Sequence, residues 1–131
     1  MLNKISIMTD REGMIDITEH IREIIQNSGK QSGICVIFCA HTTAAITINE
    51  NTDPFVQEDL FRGLRQAIPH LREFRHMEGN SAAHIKSSCI GVNETVIFND
   101  GQLVLGTWQS IYLCEFDGPR QCHVFVELIS E

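Results

Sequence analysis

The sequence predicts an α+β protein with a mostly antiparallel sheet and two or three helices packed on one side of it. Two patterns support this class. Alternating or β-branched apolar segments separated by tight turns dominate the second half of the 131-residue chain, as is typical of strands. Apolar residues at helical spacing occur mainly between these segments and near the start. Because layered folds of this size need only one core, we expect a single domain over residues 1–131.

Three segments have helical features. Isoleucines recur at helical spacing between Thr18, as a cap, and Gly29, as a stop. The clearest helix, over residues 54–68, follows Asp53, whose carboxylate can accept hydrogen bonds from the free amides of the first turn. A proline stands at its first position, where no hydrogen bond is lost, and another proline ends it. A shorter helix is predicted over residues 81–87.

The remaining apolar segments predict six or seven strands. Two of them, residues 34–40 and 44–49, are apolar along their whole length, which is typical of strands that are covered on both faces. The turn over residues 117–120 predicts a hairpin between the last two strands. The other strands are predicted over residues 3–7, 95–98, 102–107, 111–116 and 123–129.

Composition excludes several classes of protein. Seventeen acidic residues against ten lysines and arginines give a net charge of −7, whereas a nucleic-acid partner calls for a basic surface. No apolar run reaches the roughly 20 residues of a membrane helix, and the first thirty residues have no signal-peptide pattern. The five cysteines form no CxxC pair. We therefore expect a soluble cytoplasmic protein with free thiols, which binds neither nucleic acid nor membrane.

Three histidines at predicted element ends are candidate metal ligands. His41 follows a predicted strand, while His76 and His84 flank a glycine-containing loop that also carries Glu78. Three imidazoles can hold Zn²⁺ and leave a fourth position for water or substrate, and a nearby carboxylate can serve as a general base. Because no HExxH or Cys–His pattern accompanies them, ordinary surface or core histidines remain the alternative.

Two further stretches carry side chains suited to ligand binding. Gly106-Thr107-Trp108-Gln109 contains the only tryptophan of the chain, which can stack on a ring or fill a core. Arg120 ends the turn over residues 117–120, and its planar guanidinium can pair with a phosphate or a carboxylate. A polar cluster that includes Glu50 and Asp53 favours a cap, a metal's second ligand layer or a hydroxyl-rich substrate.

Taken together, these stretches resemble the YjbQ family of small bacterial and archaeal proteins. The resemblance runs from about residue 34 to the end of the chain. Its motifs, in order, are His41-Thr-Thr-Ala-Ala, Asn49-Glu50-Asn51-Thr52-Asp53-Pro54, His76-Met-Glu78-Gly79, Ala83-His84-Ile-Lys86, Leu105-Gly106-Thr107-Trp108-Gln109 and Asp117-Gly118-Pro119-Arg120.

The resemblance implies an antiparallel α+β fold, a homotrimer with sites near subunit interfaces and a metal cluster at His41, His76 and His84. It also implies a secondary thiamine-phosphate synthase activity, which joins a pyrimidine diphosphate to a thiazole phosphate and releases pyrophosphate. Two positions depart from the family pattern. Ala82 stands in a stretch where relatives often carry an acidic residue, and Cys122 stands where they commonly carry a second arginine.

The leading hypothesis is a metal-dependent transferase that acts on a small phosphorylated heterocycle. The metal is expected to be Zn²⁺, with Mg²⁺ during turnover. The alternatives are a metal-assisted hydrolase of a small phosphate or acyl substrate, and a trimeric protein that only binds a small anion or metabolite. In the leading hypothesis Arg120 and Lys86 bind phosphate, Thr107, Trp108 and Gln109 contact the ring, and Glu50, Glu78 or Asp53 moves a proton.

Overall fold

The computed structural model describes residues 2–130, and over that span the protein forms three helices and eight strands. The three helices and most of the strands lie where the sequence predicts them. In chain order the elements are β1 (Asn3–Met8), β2 (Gly13–Asp16), α1 (Thr18–Ser28), β3 (Gly33–Cys39), β4 (Ala44–Glu50), α2 (Pro54–Ala67), α3 (Ser81–Ile90), β5 (Asn93–Asn99), β6 (Gln102–Leu103), β7 (Gln109–Glu115) and β8 (Gln121–Ser130).

The strands form two antiparallel sheets. The five-stranded sheet has the order β1-β8-β3-β5-β6, and the three-stranded sheet has the order β2-β7-β4. Antiparallel pairing throughout the described strands confirms the predicted α+β class. The predicted hairpin over residues 117–120 is wrong in one respect, because β7 and β8 pair with strands of different sheets. The turn crosses from one sheet to the other.

Three of the segments that run from one sheet to the other meet at one end of the molecule, and we call these three the crossing segments. Residues 9–12 connect β1 to β2, residues 40–43 connect β3 to β4, and residues 116–120 connect β7 to β8. The three segments are tied to one another, since Thr9 and Thr43 both contact Arg120. The crossing segments therefore gather polar side chains at one end of the molecule.

The main core joins the two sheets and the first helix. It contains Ile37 of β3, Val124 of β8 and Leu113 of β7, all fully buried, together with Ile21 and Ile25 of α1. The isoleucines of α1 recur at helical spacing, so one face of that helix enters this core. Gly29, with a φ of 70°, ends the helix in the left-handed conformation that glycine adopts most readily.

A second, smaller core covers the other face of the three-stranded sheet. Ala45, Cys114 and Phe116 pack there against Phe61 of α2 and Ala83 of α3, and the Phe61 and Phe116 rings lie 5.5 Å apart. The first part of β4 is therefore covered on both faces, as its apolar sequence predicts. Helices α2 and α3 thus lie together on one side of a sheet.

The same prediction for residues 34–40 is wrong within one chain. Cys35, Ile37 and Cys39 of β3 point into the core, but the alternate side chains lie on the outer face, where Phe38 is 42% exposed. Because successive residues of a strand point to opposite faces, an apolar outer row has no cover from the chain itself. From sequence alone, an apolar strand face that the same chain covers looks the same as one that another molecule covers.

The predicted N-terminal cap is confirmed in α2 and wrong in α1, and α3 is longer than predicted. Asp53 Oδ1 accepts a hydrogen bond from the amide of Phe55 at 2.9 Å, which confirms the predicted cap. Thr18 is not a cap: its hydroxyl accepts the amide of Ile111 at 2.8 Å and ties α1 to β7. Helix α3 extends to Ile90, three residues beyond the prediction.

Two strands depart from the prediction for local reasons. Strand β2 is four residues long and half-buried, so neither alternation nor an apolar run reveals it. Strand β6 ends at Leu103 rather than continuing to Thr107. Beyond it the chain turns, and the amide of Gly106 donates to Oε1 of Gln109 at 2.8 Å.

Candidate functional site

An open groove of about 740 Å³ lies between β3 with its following crossing segment and helix α3. Apolar surface dominates its lining, and a few hydroxyl and imidazole groups interrupt it, which is the usual make-up of a small-molecule site. One wall consists of Phe38, Cys39, Ala40, His41 and Thr42, and the other of His84, Ser87, Ser88, Gly91 and Val92.

His41 is held against strand β8 by a backbone contact. Its Nε2 accepts a hydrogen bond from the amide of His123 at 2.9 Å, and the two imidazole rings stack with centroids 6.1 Å apart. Burial, and after it the positive charge of Arg120, lower the pKa of His41 below its ordinary value. His41 is therefore a neutral imidazole at neutral pH.

His84 comes from the opposite wall of the groove. It lies in the first turn of α3, on the same helical stripe as Ser87 and Ser88. The His76 ring, from the loop before α3, meets the His84 ring edge to face at 5.3 Å. The structure thus brings His76 to His84 and brings His84 into the groove that His41 lines.

Beside the groove, a buried carboxylate contacts two of the crossing segments directly and the third, residues 40–43, through Arg120. Glu115, at the end of β7, is 1% exposed. Its two oxygens accept hydrogen bonds from the Thr9 hydroxyl at 2.7 Å, the Asp117 amide at 3.0 Å and the Cys122 thiol at 3.1 Å. Arg120 donates to both oxygens, through Nε at 3.0 Å and Nη2 at 2.7 Å.

The electrostatics of Glu115 follow from these contacts. Burial alone raises the pKa of a carboxyl group, but hydrogen bonds from Arg120, Thr9, Asp117 and Cys122 outweigh it and hold the pKa of Glu115 below its ordinary value. The hydrogen bond to Glu115 likewise raises the pKa of Arg120. At neutral pH, therefore, Glu115 is ionised, Arg120 is protonated, and the two side chains form an ion pair.

This contact changes the interpretation of Arg120. Its guanidinium is committed to Glu115, and Nη2 also donates to Thr43 Oγ1 at 2.8 Å. The bidentate geometry that the sequence suggests for phosphate is used here for an internal carboxylate. Arg120 fixes the crossing segment that carries His41, two residues before Thr43.

Cys122, where the resemblance implies a second arginine, is fully buried and donates to Glu115. Burial, and after it the neighbouring Glu115, raise the pKa of its thiol to about 12. All five cysteines are free, as predicted. A neutral thiol that donates to Glu115 is a packing and hydrogen-bonding group rather than a nucleophile.

A second group of predicted residues lies at the opposite end of the three-stranded sheet. Ala44 pairs with Glu115, whereas Glu50 pairs with Gln109, so the length of β4 separates the two ends by about 20 Å. Trp108 is 60% exposed there. Glu50 accepts the Tyr112 hydroxyl at its backbone oxygen, at 3.1 Å.

Within one chain, therefore, the predicted residues form two groups. His41, His76, His84 and Arg120 lie near the groove, while Thr107, Trp108, Gln109, Glu50 and Asp53 lie at the far end. Asp53 is used as the cap of α2, and the Gln109 side chain closes the turn after β6. Lys86 is 7% exposed on the sheet-facing side of α3, and Glu78 is exposed in the loop before that helix.

The predicted metal cluster does not fit the side chains of one chain. Among residues 2–130, no group of three His, Cys, Asp or Glu side chains is arranged to hold a metal ion. A metal-bound imidazole must present a lone pair, and the Nε2 lone pair of His41 is occupied by the His123 amide. Zinc binding stays a prediction from the resemblance.

Sequence reasoning missed Glu115, Thr9 and His123, and it included Thr43 only as a member of the His41 motif, without its partner Arg120. The signal for Glu115 was present, as a single carboxylate that ends an apolar strand five residues before an arginine. A buried charge needs a partner of opposite sign, so Arg120 was its natural candidate. Thr9 and Thr43 carry no comparable signal, because their contacts depend on how the crossing segments meet.

The fold and the groove define a class of small α+β proteins built from two antiparallel sheets. The model of one family, the UPF0047 protein YjbQ-like family, matches residues 3–131. The UPF0047 protein YugU of Bacillus subtilis is 49% identical over 98% of this chain and 99% of its own length. A UPF0047 protein of Methanocaldococcus jannaschii is also 49% identical, over 100% and 96%. The chain belongs to the YjbQ-like UPF0047 family.

Solved structures of the family agree with the fold. An uncharacterised YjbQ/UPF0047 protein from Clostridium acetobutylicum superimposes with a TM-score of 0.94 and 46% identity, over 97% of this chain and 99% of that one. A protein of unknown function from Sulfolobus solfataricus gives a TM-score of 0.94 at 34% identity, over 100% and 97%. Family membership, as the motifs suggested, is confirmed.

None of the helices in residues 2–130 combines the length and the apolar character needed to cross a bilayer. The longest, α2, has 14 residues and a strongly polar face.

Proposed function

We propose that the protein is a homotrimeric enzyme that binds a small phosphorylated heterocycle in the groove and has a secondary thiamine-phosphate synthase activity. The observation that carries the proposal is the meeting of His41 and His84 across one groove. The hydroxyls of Thr42 and Ser88 border it, whereas the Ser87 hydroxyl donates to the backbone oxygen of Ala44 at 2.6 Å. Imidazole and hydroxyl groups are donors that suit phosphate oxygens, and the apolar remainder of the groove suits a heterocyclic ring.

In the proposed reaction, the bond between the pyrimidine methylene carbon and the diphosphate oxygen breaks. The thiazole nitrogen then forms a new bond to that carbon, and pyrophosphate leaves. We assign His84 the role of proton donor to the departing diphosphate, with the edge of His76 supporting its ring at 5.3 Å. Donors that are already oriented stabilise the charge that develops on the leaving group.

The charges of the protein predict that the groove binds pyrophosphate weakly. Arg120 is paired with Glu115 rather than open to the ligand, and the net charge of the chain is −7. Mg²⁺ supplied with the diphosphate is the form in which such a leaving group usually reacts. A low turnover is the expected property of a secondary activity.

The trimer is supported by the outer face of the five-stranded sheet. Ile34 pairs with Ile97 on one side and with Ile129 on the other, and Ile97 and Ile129 are 59% and 53% exposed. Phe38 pairs with Phe125 further along the same face. An apolar row of this kind suits an interface between subunits, and assembly offers a route by which Trp108 of one subunit approaches the groove of another.

The test is product analysis on the purified full chain. Given pyrimidine diphosphate and thiazole phosphate together, the protein is expected to form thiamine phosphate, detected by chromatography. Assays with a chelator, with Zn²⁺ and with Mg²⁺ examine the predicted cofactor. His84→Gln should lower the rate at least tenfold, as loss of a general acid typically does, whereas His20→Gln on the exposed face of α1 should not.

The alternatives give different products. Pyrophosphate or phosphate released from a single substrate, without a second organic molecule, indicates a hydrolase. Binding without turnover of either substrate indicates a metabolite-binding protein. Either result contradicts the transferase.

A further inference from the structure

The hydrogen bond of His41 to strand β8 determines where its proton lies. Its Nε2 accepts the backbone amide hydrogen of His123 at 2.9 Å. An amide can only donate, so Nε2 must carry a lone pair, and the single proton of the neutral ring is on Nδ1. A doubly protonated ring would place two N–H groups against each other.

The environment of the ring keeps this tautomer in place. Thr43, two residues further on, is fixed by Arg120 Nη2 at 2.8 Å, and Arg120 is itself fixed by Glu115. The His123 ring stacks beside His41, and its Nδ1 lies 3.1 Å from the Ser6 hydroxyl.

The Nδ1–H group is the part of His41 that is free to act. Among residues 2–130, Asn80 Oδ1 is the only buried side-chain oxygen or nitrogen without a hydrogen-bond partner. Nδ1 of His41 has no protein partner there either, so it must reach the solvent. Because His41 lines the groove, that solvent-facing donor belongs to the groove wall.

To bind a metal ion, His41 would need a ring nitrogen that has a free lone pair and no proton. Ligation through Nε2 would break the contact with His123, and ligation through Nδ1 would move the proton to Nε2, where it would face the His123 N–H. Both routes lose a hydrogen bond that the strand itself supplies. The geometry of His41 therefore disagrees with the zinc role that the resemblance gives it.

We propose that His41 is a neutral hydrogen-bond donor, through Nδ1–H, to an oxygen of the ligand in the groove, and that it is not a metal ligand. The identity of that ligand oxygen as a phosphate oxygen rests on the proposed function. The tautomer does not, because it follows from the contact with His123 alone.

The first experiment measures the tautomer in the wild-type protein. With ¹⁵N-labelled histidine, NMR distinguishes a protonated from an unprotonated ring nitrogen, and His41→Asn assigns the signals. We expect Nδ1 protonated and Nε2 unprotonated at neutral pH, and both unchanged when Zn²⁺ is added. The opposite tautomer, or a Zn²⁺-dependent change at His41, would overturn the inference.

The second experiment titrates inorganic pyrophosphate into three proteins. Wild type is expected to bind, with a change in the Nδ1 signal of His41. His41→Asn, whose amide nitrogen stands near the Nδ1 position, should keep most of the affinity, and His41→Phe should lose about tenfold, the value of one hydrogen bond to a charged group. Equal affinity of all three overturns the donor role. If wild type does not bind pyrophosphate, the proposed function and the phosphate assignment fail together, while the NMR result still decides the tautomer.

Discussion

At the scale of single residues, Glu115 is the side chain on which the candidate site most depends. A carboxylate that is 1% exposed has lost nearly all contact with water, which is costly unless protein groups replace it. Thr9 does so from the segment after β1, and Arg120 and Cys122 do so from the junction between the last crossing segment and β8. The same contacts that compensate the charge also hold the crossing segments together.

Replacing Glu115 by glutamine should therefore destabilise the fold. The change removes the negative charge but keeps the size, so the half-buried Arg120 would lose its counter-charge. We expect a loss of about 3 kcal/mol in the free energy of unfolding, measured by urea denaturation at a fixed protein concentration. Glu23→Gln, on the exposed side of α1, is the matched control and should change stability by less than about 0.5 kcal/mol. Equal effects would contradict the role of Glu115.

The lowered pKa of Glu115 gives this contribution a defined pH dependence. In the unfolded chain the carboxyl titrates near about 4.3, and in the folded chain it titrates below that. Above the unfolded pKa the stabilisation is complete, and it is lost as the pH falls through the folded pKa. The stability difference between wild type and Glu115→Gln should be constant from neutral pH to about pH 5 and should shrink below about pH 4. A difference that grows on acidification would contradict the assignment.

Residue roles were predictable from sequence only where the partner is local. The cap at Asp53 is such a case, because its acceptor and the Phe55 amide are two residues apart. Arg120 is the opposite case. Its residue type suggests an anionic partner, and the fold provides one within the chain, because Nε and Nη2 both donate to Glu115. A contact between Arg120 and a ligand phosphate stays a prediction. His41 likewise needed the position of the His123 amide before its proton could be placed.

At the scale of elements, the sequence predicts helices and long strands well because their periodic patterns are local. Strand β2 escapes detection since its four residues are half-buried without alternation. The turn of residues 117–120 is recognisable, but which strands it connects depends on pairings far apart in the chain. Crossing from one sheet to another is thus a tertiary property that hairpin residues do not encode.

Alanine substitutions at two glycines compare the effect of close packing in a crossing segment with the effect of helix propensity in α2. Gly118 lies in a crossing segment, where an added Cβ would meet the Asp10 carbonyl oxygen at 2.0 Å; Gly63 lies within α2 with open space around it. We expect Gly118→Ala to destabilise the protein, since backbone must move, and Gly63→Ala to stabilise it by about 1 kcal/mol through helix propensity. Thermal unfolding of both variants measures the contrast. Similar shifts in the two melting temperatures would show that the crossing segment has more room than the structure indicates.

At the scale of the whole molecule, the candidate residues fall into two groups about 20 Å apart, one at the groove and one around Trp108. Both motifs belong to the family resemblance, yet one chain does not bring them together. Sequence order carries no information about which surfaces meet between subunits. A site completed by assembly would reconcile the two groups, and the apolar row across β3, β5 and β8 offers the surface for it.

The oligomeric state can therefore be tested through that row. Replacing Ile97, which is 59% exposed and paired with Ile34, by lysine would place a charge in the proposed interface, where it loses hydration without gaining a partner. We expect wild type to sediment as a trimer and Ile97→Lys to dissociate at micromolar concentration, with its far-UV circular dichroism unchanged. Leu71→Lys, at an exposed position in the loop after α2, should remain trimeric. A monomeric wild type would contradict the trimer, and a trimeric Ile97→Lys would place the interface on another face.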